Sequence, residues 1–261
     1  MIFSYYPGCT LKNKAQDLDR YARRSAEALG ITLSELDEWQ CCGGAYPMAA
    51  NETGVRLSSV RALMAARERG QALVTLCSAC HNVIKQTNYD IVRDATFSER
   101  ANNYMAPEEY HGETQVYHYL ELLRDVVGFE ELSKKVKNPL TGKKVGAYYG
   151  CLLLRPSKAL QMDNPENPKI MEDFLRAIGA EPVVYPYRNE CCGGYVTLED
   201  RALAAKKSGN VLESAADMGA ELLVTACPLC LYNLTKATSA DQKLPVLYFT
   251  ELLAEALGVK D

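Results

Sequence analysis

Five cysteines occur in each half of this 261-residue chain, in the same order and nearly the same spacing. The first set is Cys9, the adjacent pair Cys41 and Cys42, and a CxxC made of Cys77 and Cys80; the second is Cys151, the pair Cys191 and Cys192, and Cys227 with Cys230. Four members of each set share one offset of 150 residues (41 to 191, 42 to 192, 77 to 227, 80 to 230), with 34 residues between pair and CxxC in both halves. All ten cysteines are thereby used. Thiols so arranged can hold a metal ion, exchange disulfides or bind an iron–sulfur group. A structural zinc ion takes four ligands, one fewer than each set offers. A dithiol of the thioredoxin kind uses only the CxxC and leaves the vicinal pair and the single cysteine idle. An iron–sulfur group employs thiolates, close backbone amides and glycines together, and it is the reading that uses the whole set.

The elements that must position these residues follow from periodicity. Ile2 to Tyr6 reads as a buried strand ending in Pro7-Gly8, a turn that presents Cys9. Asp17 to Leu29 reads as a helix, Ile31 to Leu36 as a strand leading to Cys41, Val55 to Arg69 as a helix, and Leu73 to Leu76 as a strand that delivers Cys77 to a helix start. A helix N-terminus stabilises thiolates through unpaired amides and a partial positive charge. Asn82 to Tyr110 is helical or irregular, Val116 to His118 a strand, and Leu120 to Val127 a helix. The order repeats: strand Val145 to Tyr149, helix Ile170 to Ile178, strand Pro182 to Tyr187, helix Leu203 to Met218, strand Leu222 to Ala226, strand Val246 to Phe249 and helix Glu251 to Leu257. The first half carries an insertion, 35 residues between Cys80 and Val116 against 15 between Cys230 and Val246. The polar stretch Lys134 to Lys143, with Pro139 and Gly142, marks a boundary between domains at 1–135 and 143–261.

Strands alternating with helices predict an α/β fold of two pseudo-symmetric units, each a small parallel sheet flanked by helices. In such sheets ligands gather beyond the C-terminal ends of the strands, where the sulfurs of each set are expected to converge. Gly43, Gly44, Gly193 and Gly194, directly after the vicinal pairs, let the backbone approach a bulky group. With 48% hydrophobic residues the chain needs no crosslinks to complete a core. The formal charge of -4 and scattered Lys and Arg argue against a nucleic acid partner. No apolar run reaches the length of a spanning helix, so a cytoplasmic protein is expected, in a compartment where dense cysteines mean metal or redox chemistry.

These motifs, C-x31-CCG-x33-CxxC followed by C-x39-CCG-x33-CxxC, together with Tyr149-Gly150-Cys151, Pro228 and Pro245-Val246-Leu247, resemble the paired CCG domains of the heterodisulfide reductase B subunit over nearly the whole chain. The resemblance implies a noncubane 4Fe-4S cluster on Cys9, Cys41, Cys42, Cys77 and Cys80, and a second on Cys151, Cys191, Cys192, Cys227 and Cys230. It implies an oxidoreductase that reduces, or reversibly forms, a disulfide in two one-electron steps within a complex containing a ferredoxin-like iron–sulfur C subunit and a flavin-containing A subunit. An alternative from the same resemblance is an electron-relay subunit of a quinone-linked or hydroxy-acid-oxidising complex.

The remaining candidates are weaker. Tyr149 and Tyr195, near the cysteines, could give a proton to a leaving thiolate, although packing around an apolar pocket is the plainer role. Lys12 and Arg155, shortly after the single cysteines, could attract an anionic substrate, or be ordinary surface charges. His81 makes a CxxCH string, but Leu231 at the matching position and the shared use of the CxxC argue against haem. His111 and His118 have no ligand spacing.

Overall fold

The computed structural model describes residues 1–44, 46–236 and 244–260. The first half contains β1 (Ile2–Tyr6), α1 (Gly8–Asn13), α2 (Gln16–Ala28), β2 (Thr32–Glu35), α3 (Glu52–Glu68), β3 (Leu73–Thr75), α4 (Ser78–Arg93), α5 (Ala95–Met105), β4 (Val116–His118), α6 (Tyr119–Leu122) and α7 (Phe129–Lys135). The second contains β5 (Lys144–Tyr148), α8 (Ser157–Leu160), α9 (Ile170–Ala177), β6 (Glu181–Val183), α10 (Arg201–Asp217), β7 (Leu222–Thr225), α11 (Pro228–Lys236), β8 (Val246–Tyr248) and α12 (Phe249–Ala256). The two sheets are parallel throughout and have matching orders, β2-β1-β3-β4 and β6-β5-β7-β8. Tyr6 pairs with Thr75 in one, and Tyr148 with Thr225 in the other. The α/β class and the paired flanked sheets expected from the sequence are thus observed.

Three details differ from the sequence reading. Cys9 lies within a short helix, α1, rather than on a turn. The strand expected over 182–187 stops at Val183, and Pro186–Asn189 forms a single 3-10 turn because proline there fixes φ and withholds a ladder donor. The helix after β4 changes to a π turn over Leu123–Val127 and ends at Gly128, after which α7 occupies the start of the expected linker.

That linker is laced down. Lys137 and Asn138 donate backbone N–H groups to the Ala256 carbonyl, 2.9 Å each, and Leu140 donates to Ile178 at 3.0 Å. The main buried cluster runs without a break from Tyr5 and Leu18 to Leu252 and Leu257, so it belongs to both halves. The two halves also exchange their last helices. α12 packs on α2, with Thr250 Oγ1 donating to the Leu18 carbonyl at 3.0 Å, while α6 and α7 pack on α9, with Arg124 donating to the Met162 carbonyl at 2.6 Å. Tyr119 and Phe249, which open α6 and α12, meet with ring centroids 6.1 Å apart. Phe249, Leu252 and Leu253 are fully buried, and each contributes about 1.5–3 kcal/mol of burial free energy. Among the described residues no helix is long and apolar enough to cross a membrane.

Candidate metal centre

In a sheet ordered 2-1-3-4 the chain leaves β1 and β3 toward opposite sides, and the gap between their C-terminal ends is where ligands collect. Cys9 follows β1, Cys77 follows β3, and the vicinal pair follows β2. Cys151, Cys227, Cys191 and Cys192 hold the same stations on β5, β7 and β6. The strand order therefore brings each set together. Cys9 Sγ lies 3.9 Å from Cys41 Sγ, and Cys42 Sγ lies 3.5 Å from Cys80 Sγ. Thiol contacts continue from Cys41 to Cys42 and from Cys80 to Cys77. In the second half they link Cys151 to Cys191, Cys191 to Cys192, Cys192 to Cys230 and Cys230 to Cys227.

The pockets are graded from rim to floor. Cys9 and Cys41 are exposed and Cys151 and Cys191 half-buried, whereas Cys42, Cys77, Cys80, Cys192, Cys227 and Cys230 are buried. Hydrogen bonds from Cys41 and Cys80 hold the Cys42 thiol far down, at about 3. Hydrogen bonds from Cys151 and Cys192 hold Cys191 well below its ordinary value. Cys227 is lowered as well, by hydrogen bonds from Cys230 and Cys77, and low thiols set beside raised ones are what crowded thiols sharing protons produce.

Glycines let the backbone pack closely around the sulfurs. At Gly43 (φ +89°) a Cβ would sit 2.4 Å from Val55 Cγ1, and at Gly193 (φ +100°) 2.8 Å from Ala204 Cα, so the vicinal loops press onto α3 and α10 where only glycine fits. Gly194 directs its N–H at Cys192 Sγ, 3.4 Å away. At Gly8 and Gly150 a Cβ would come within 2.8 Å of Cys80 Sγ and 3.2 Å of Cys230 Sγ. Gly44 faces the other half, its absent Cβ 3.2 Å from the Tyr195 hydroxyl. Cys77 is the N-cap of α4 without a side-chain cap bond, and α11 opens on Pro228, the residue that best tolerates the first helical position.

The two pockets meet. Cys77 and Cys227 act on each other across the junction: Cys227 raises the Cys77 thiol, and Cys227 is lowered by Cys230 first and by Cys77 second. Around that junction Ser78 donates N–H and Oγ to the Ala226 carbonyl, at 3.2 and 2.7 Å. The Tyr248 hydroxyl lies 2.6 Å from the Leu76 carbonyl and 3.0 Å from that of Ala226. Asn82 Nδ2 reaches the Leu152 and Arg155 carbonyls, 2.7 Å each.

The other sequence candidates are placed as follows. Tyr149 turns its hydroxyl away from the sulfurs, donating to Glu172 and accepting from the Met171 N–H at 2.9 Å. Tyr195 lies at the junction, its hydroxyl pushed up by burial and then by Cys42, Cys227, Cys77 and Cys80. Lys12 is ion-paired to Glu35 at 2.8 Å. Arg155 is paired to Glu166 at 2.9 Å and donates to the Pro165 and Asn189 carbonyls. His81 and His118 are buried and His111 is exposed.

Several supporting residues went unrecognised in the sequence. Tyr6 and Tyr148 donate to the Gln40 and Glu190 carbonyls at 2.5 and 2.7 Å, clamping the residue before each vicinal pair. Each stands three places before its single cysteine, a register that could have revealed the device. Ser59 and Ser208 likewise hold the Cys42 and Cys192 carbonyls. Asn233 donates toward Cys192 Sγ at 3.5 Å and to the Gly194 carbonyl at 3.1 Å. His81 Nε2 stands 3.3 Å from Glu121 Oε2 without hydrogen-bond geometry, and Lys85 pairs with Glu121 at 2.6 Å.

All ten cysteines are free of disulfides. Among the described residues no three His, Cys, Asp or Glu side chains surround a preformed single-ion position. The case for a metal group rests instead on five thiols per pocket with amides and glycines against them, a donor set that fits an iron–sulfur centre touching several sulfurs at once.

Residues 3–85 and 145–235 match the cysteine-rich CCG domain. The chain belongs to the CCG family. Both CCG segments coincide with the two sulfur pockets. The chain is 31% identical to the 8-methylmenaquinol:fumarate reductase membrane anchor subunit of Wolinella succinogenes, over 98% of this chain and 92% of that protein. It is 26% identical to the B subunit of the ferredoxin/F(420)H(2)-dependent CoB-CoM heterodisulfide reductase of Methanosarcina acetivorans, over 98% and 89%. The resemblance to the heterodisulfide reductase B subunit is thereby upheld. A crystal structure of a hypothetical protein from Helicobacter pylori superimposes with a TM-score of 0.77 at 13% identity, covering 98% of this chain and 49% of the other. This chain spans about half of that molecule, and the likeness is one of fold.

Proposed function

We propose that this CCG protein is the disulfide-reducing subunit of a multisubunit cytoplasmic oxidoreductase. The observation that carries the reading is the junction of the halves, where Ser78 donates to the Ala226 carbonyl and the Tyr195 hydroxyl reaches Gly44, so that the two sulfur sets stand side by side and a molecule bridging them would reach both. Cys9, Cys41, Cys42, Cys77 and Cys80 would hold one noncubane 4Fe-4S cluster and Cys151, Cys191, Cys192, Cys227 and Cys230 the other. When bound, each cluster supplies thiophilic iron and passes electrons singly. The balance is RS–SR′ + 2 e⁻ + 2 H⁺ → RSH + R′SH, one sulfur for each pocket. A ferredoxin-like C subunit, itself fed by a flavin-containing A subunit, is the electron source.

The chain's own residues build and shield the pockets. Tyr6 and Tyr148 fix the vicinal loops, Gly43 and Gly193 let those loops press onto the neighbouring helices, and Gly8 and Gly150 leave space beside Cys80 and Cys230 that no side chain could share. The open N-terminus of α4 and the glycine amides offset negative charge on the thiolates.

A second reading is favoured by the 31% identity to the quinol:fumarate reductase anchor protein: the same pockets relay electrons between a quinone site and another member of the complex. Anaerobically prepared complex separates the two. Metal analysis should give about eight iron per chain, and turnover should be obtained with organic disulfides. Turnover with quinones alone would overturn disulfide reduction in favour of the relay.

A further inference from the structure

Four tyrosines have the pocket sulfurs in their electrostatic surroundings: Tyr6, Tyr148, Tyr195 and Tyr248. Three have committed their hydroxyls to backbone carbonyls: Tyr6 to Gln40, Tyr148 to Glu190, and Tyr248 to Leu76 and Ala226. They are scaffold. Tyr195 differs in three respects. It is half-buried rather than sealed in the core. Among the described residues its hydroxyl has no hydrogen-bond partner. And it crosses between halves: its backbone belongs to the 3-10 turn Gly194–Leu198 of the second pocket, while its hydroxyl reaches Gly44 in the vicinal loop of the first. Its sulfur neighbours accordingly come from both sets, Cys42, Cys77 and Cys80 on one side and Cys227 on the other.

The feature occurs once. In the repeat, the residue after Gly194 is Tyr195, and the residue after Gly44 is Ala45, whose side chain carries no donor. Two pockets alike in sulfur count are thus unlike at this station: the hydroxyl that crosses between them belongs to the second half and meets the vicinal loop of the first. A disulfide split across them yields two thiol products, and only the sulfur on the Gly44 side would meet an O–H group.

We infer that Tyr195 is the ligand-binding residue of the junction, its hydroxyl donating a hydrogen bond to the sulfur of an organic disulfide or thiol held on the first-half side. The inference rests on the disulfide-reducing reading above. A hydrogen bond to an anionic sulfur contributes more than one to a neutral acceptor, because the acceptor is charged and shielded from water. The ring spans the gap and the hydroxyl takes no part in holding the fold, so Tyr195→Phe leaves the packing in place.

The test uses the anaerobically prepared, oxidised complex, with 2-mercaptoethanol as probe. Paramagnetic resonance follows thiol binding while iron content is measured in parallel. Wild type should show a saturable thiol-induced signal. Tyr195→Phe should keep its iron and its thiol-free spectrum, need about tenfold more thiol for half-saturation, and give a thiol-bound signal with shifted g values. Tyr195→His, which restores an N–H donor, should recover part of the affinity. Equal half-saturation and identical g values in wild type and Tyr195→Phe would overturn the inference while the disulfide reading stands. Loss of iron in Tyr195→Phe would overturn it too, by making the residue structural. If no protein, wild type included, responds to thiol, the disulfide reading itself fails and the inference with it.

Discussion

Two buried residues next to the sulfur pockets carry effects separable from redox chemistry. Tyr149 is held by Glu172, a carboxyl that burial raises above its ordinary value. Arg188 Nε stands 3.4 Å from the same carboxyl. Tyr149→Phe removes the donor from a buried acceptor, and we expect a loss of about 1–3 kcal/mol in denaturant unfolding, with iron content and thiol response unchanged. A fall in iron would instead tie Tyr149 to the pocket. His118 sits in full burial with Nδ1 accepting the Leu120 N–H at 3.2 Å and Nε2 facing the Leu76 and Ala226 carbonyls. Burial lowers its imidazole from 6.5 to about 4. Between those values the unfolded chain takes up a proton that the folded chain refuses, so stability falls as pH drops from about 6.5 toward 4. The loss is on the order of 3 kcal/mol once pH 4 is reached. Thermal unfolding across that window should show the slope, and His118→Asn should flatten it.

At the scale of elements, the pockets depend on strand ends and on the loops that follow them. Gly193 is the sharpest case, since alanine there has both a left-handed backbone and a clash with Ala204 Cα. Gly193→Ala should empty the second pocket alone, lowering iron from about eight to about four per chain, as metal analysis and resonance spectra would register. Retention of full iron would mean that the loop has slack. The sequence made this level largely legible. Cysteine spacing and short apolar runs located β1, β3, β5 and β7 and put the CxxC motifs at helix starts, because both signals are local. It failed where geometry is set by twist and by distant contacts. Tyr148 and Tyr149 are adjacent and equally apolar, yet one hydroxyl clamps the carbonyl of Glu190 and the other bonds Glu172. Nothing in their composition tells which way each will face. The helix through Cys9 was hidden by the strong turn signal of Pro7-Gly8, and the early end of β6 by the apolar look of Val184 and Tyr185.

For the whole molecule, the repeat suggests two units at 1–135 and 143–261; one sheet falls in each, and the main buried cluster draws on both. With α12 covering α2, α6 and α7 covering α9, and the linker bonded to Ala256 and Ile178, neither half owns all the surface it needs. We therefore expect one unfolding transition in calorimetry of the intact chain, with equal calorimetric and van't Hoff enthalpies. Two resolved transitions would show that the halves are independent. Periodicity could not have disclosed this, since α12 is amphipathic whichever helix it covers.

The reciprocal helix exchange also bears on how such a chain could arise. A polypeptide of half this length, ending in a helix that covers the second helix of another copy, has no covering of its own and is completed only by a second copy under twofold symmetry. Joining the two copies end to end keeps every contact and lets the matched surfaces drift apart. Position 195 and its counterpart, tyrosine and alanine, are two stations that identical copies could never have told apart.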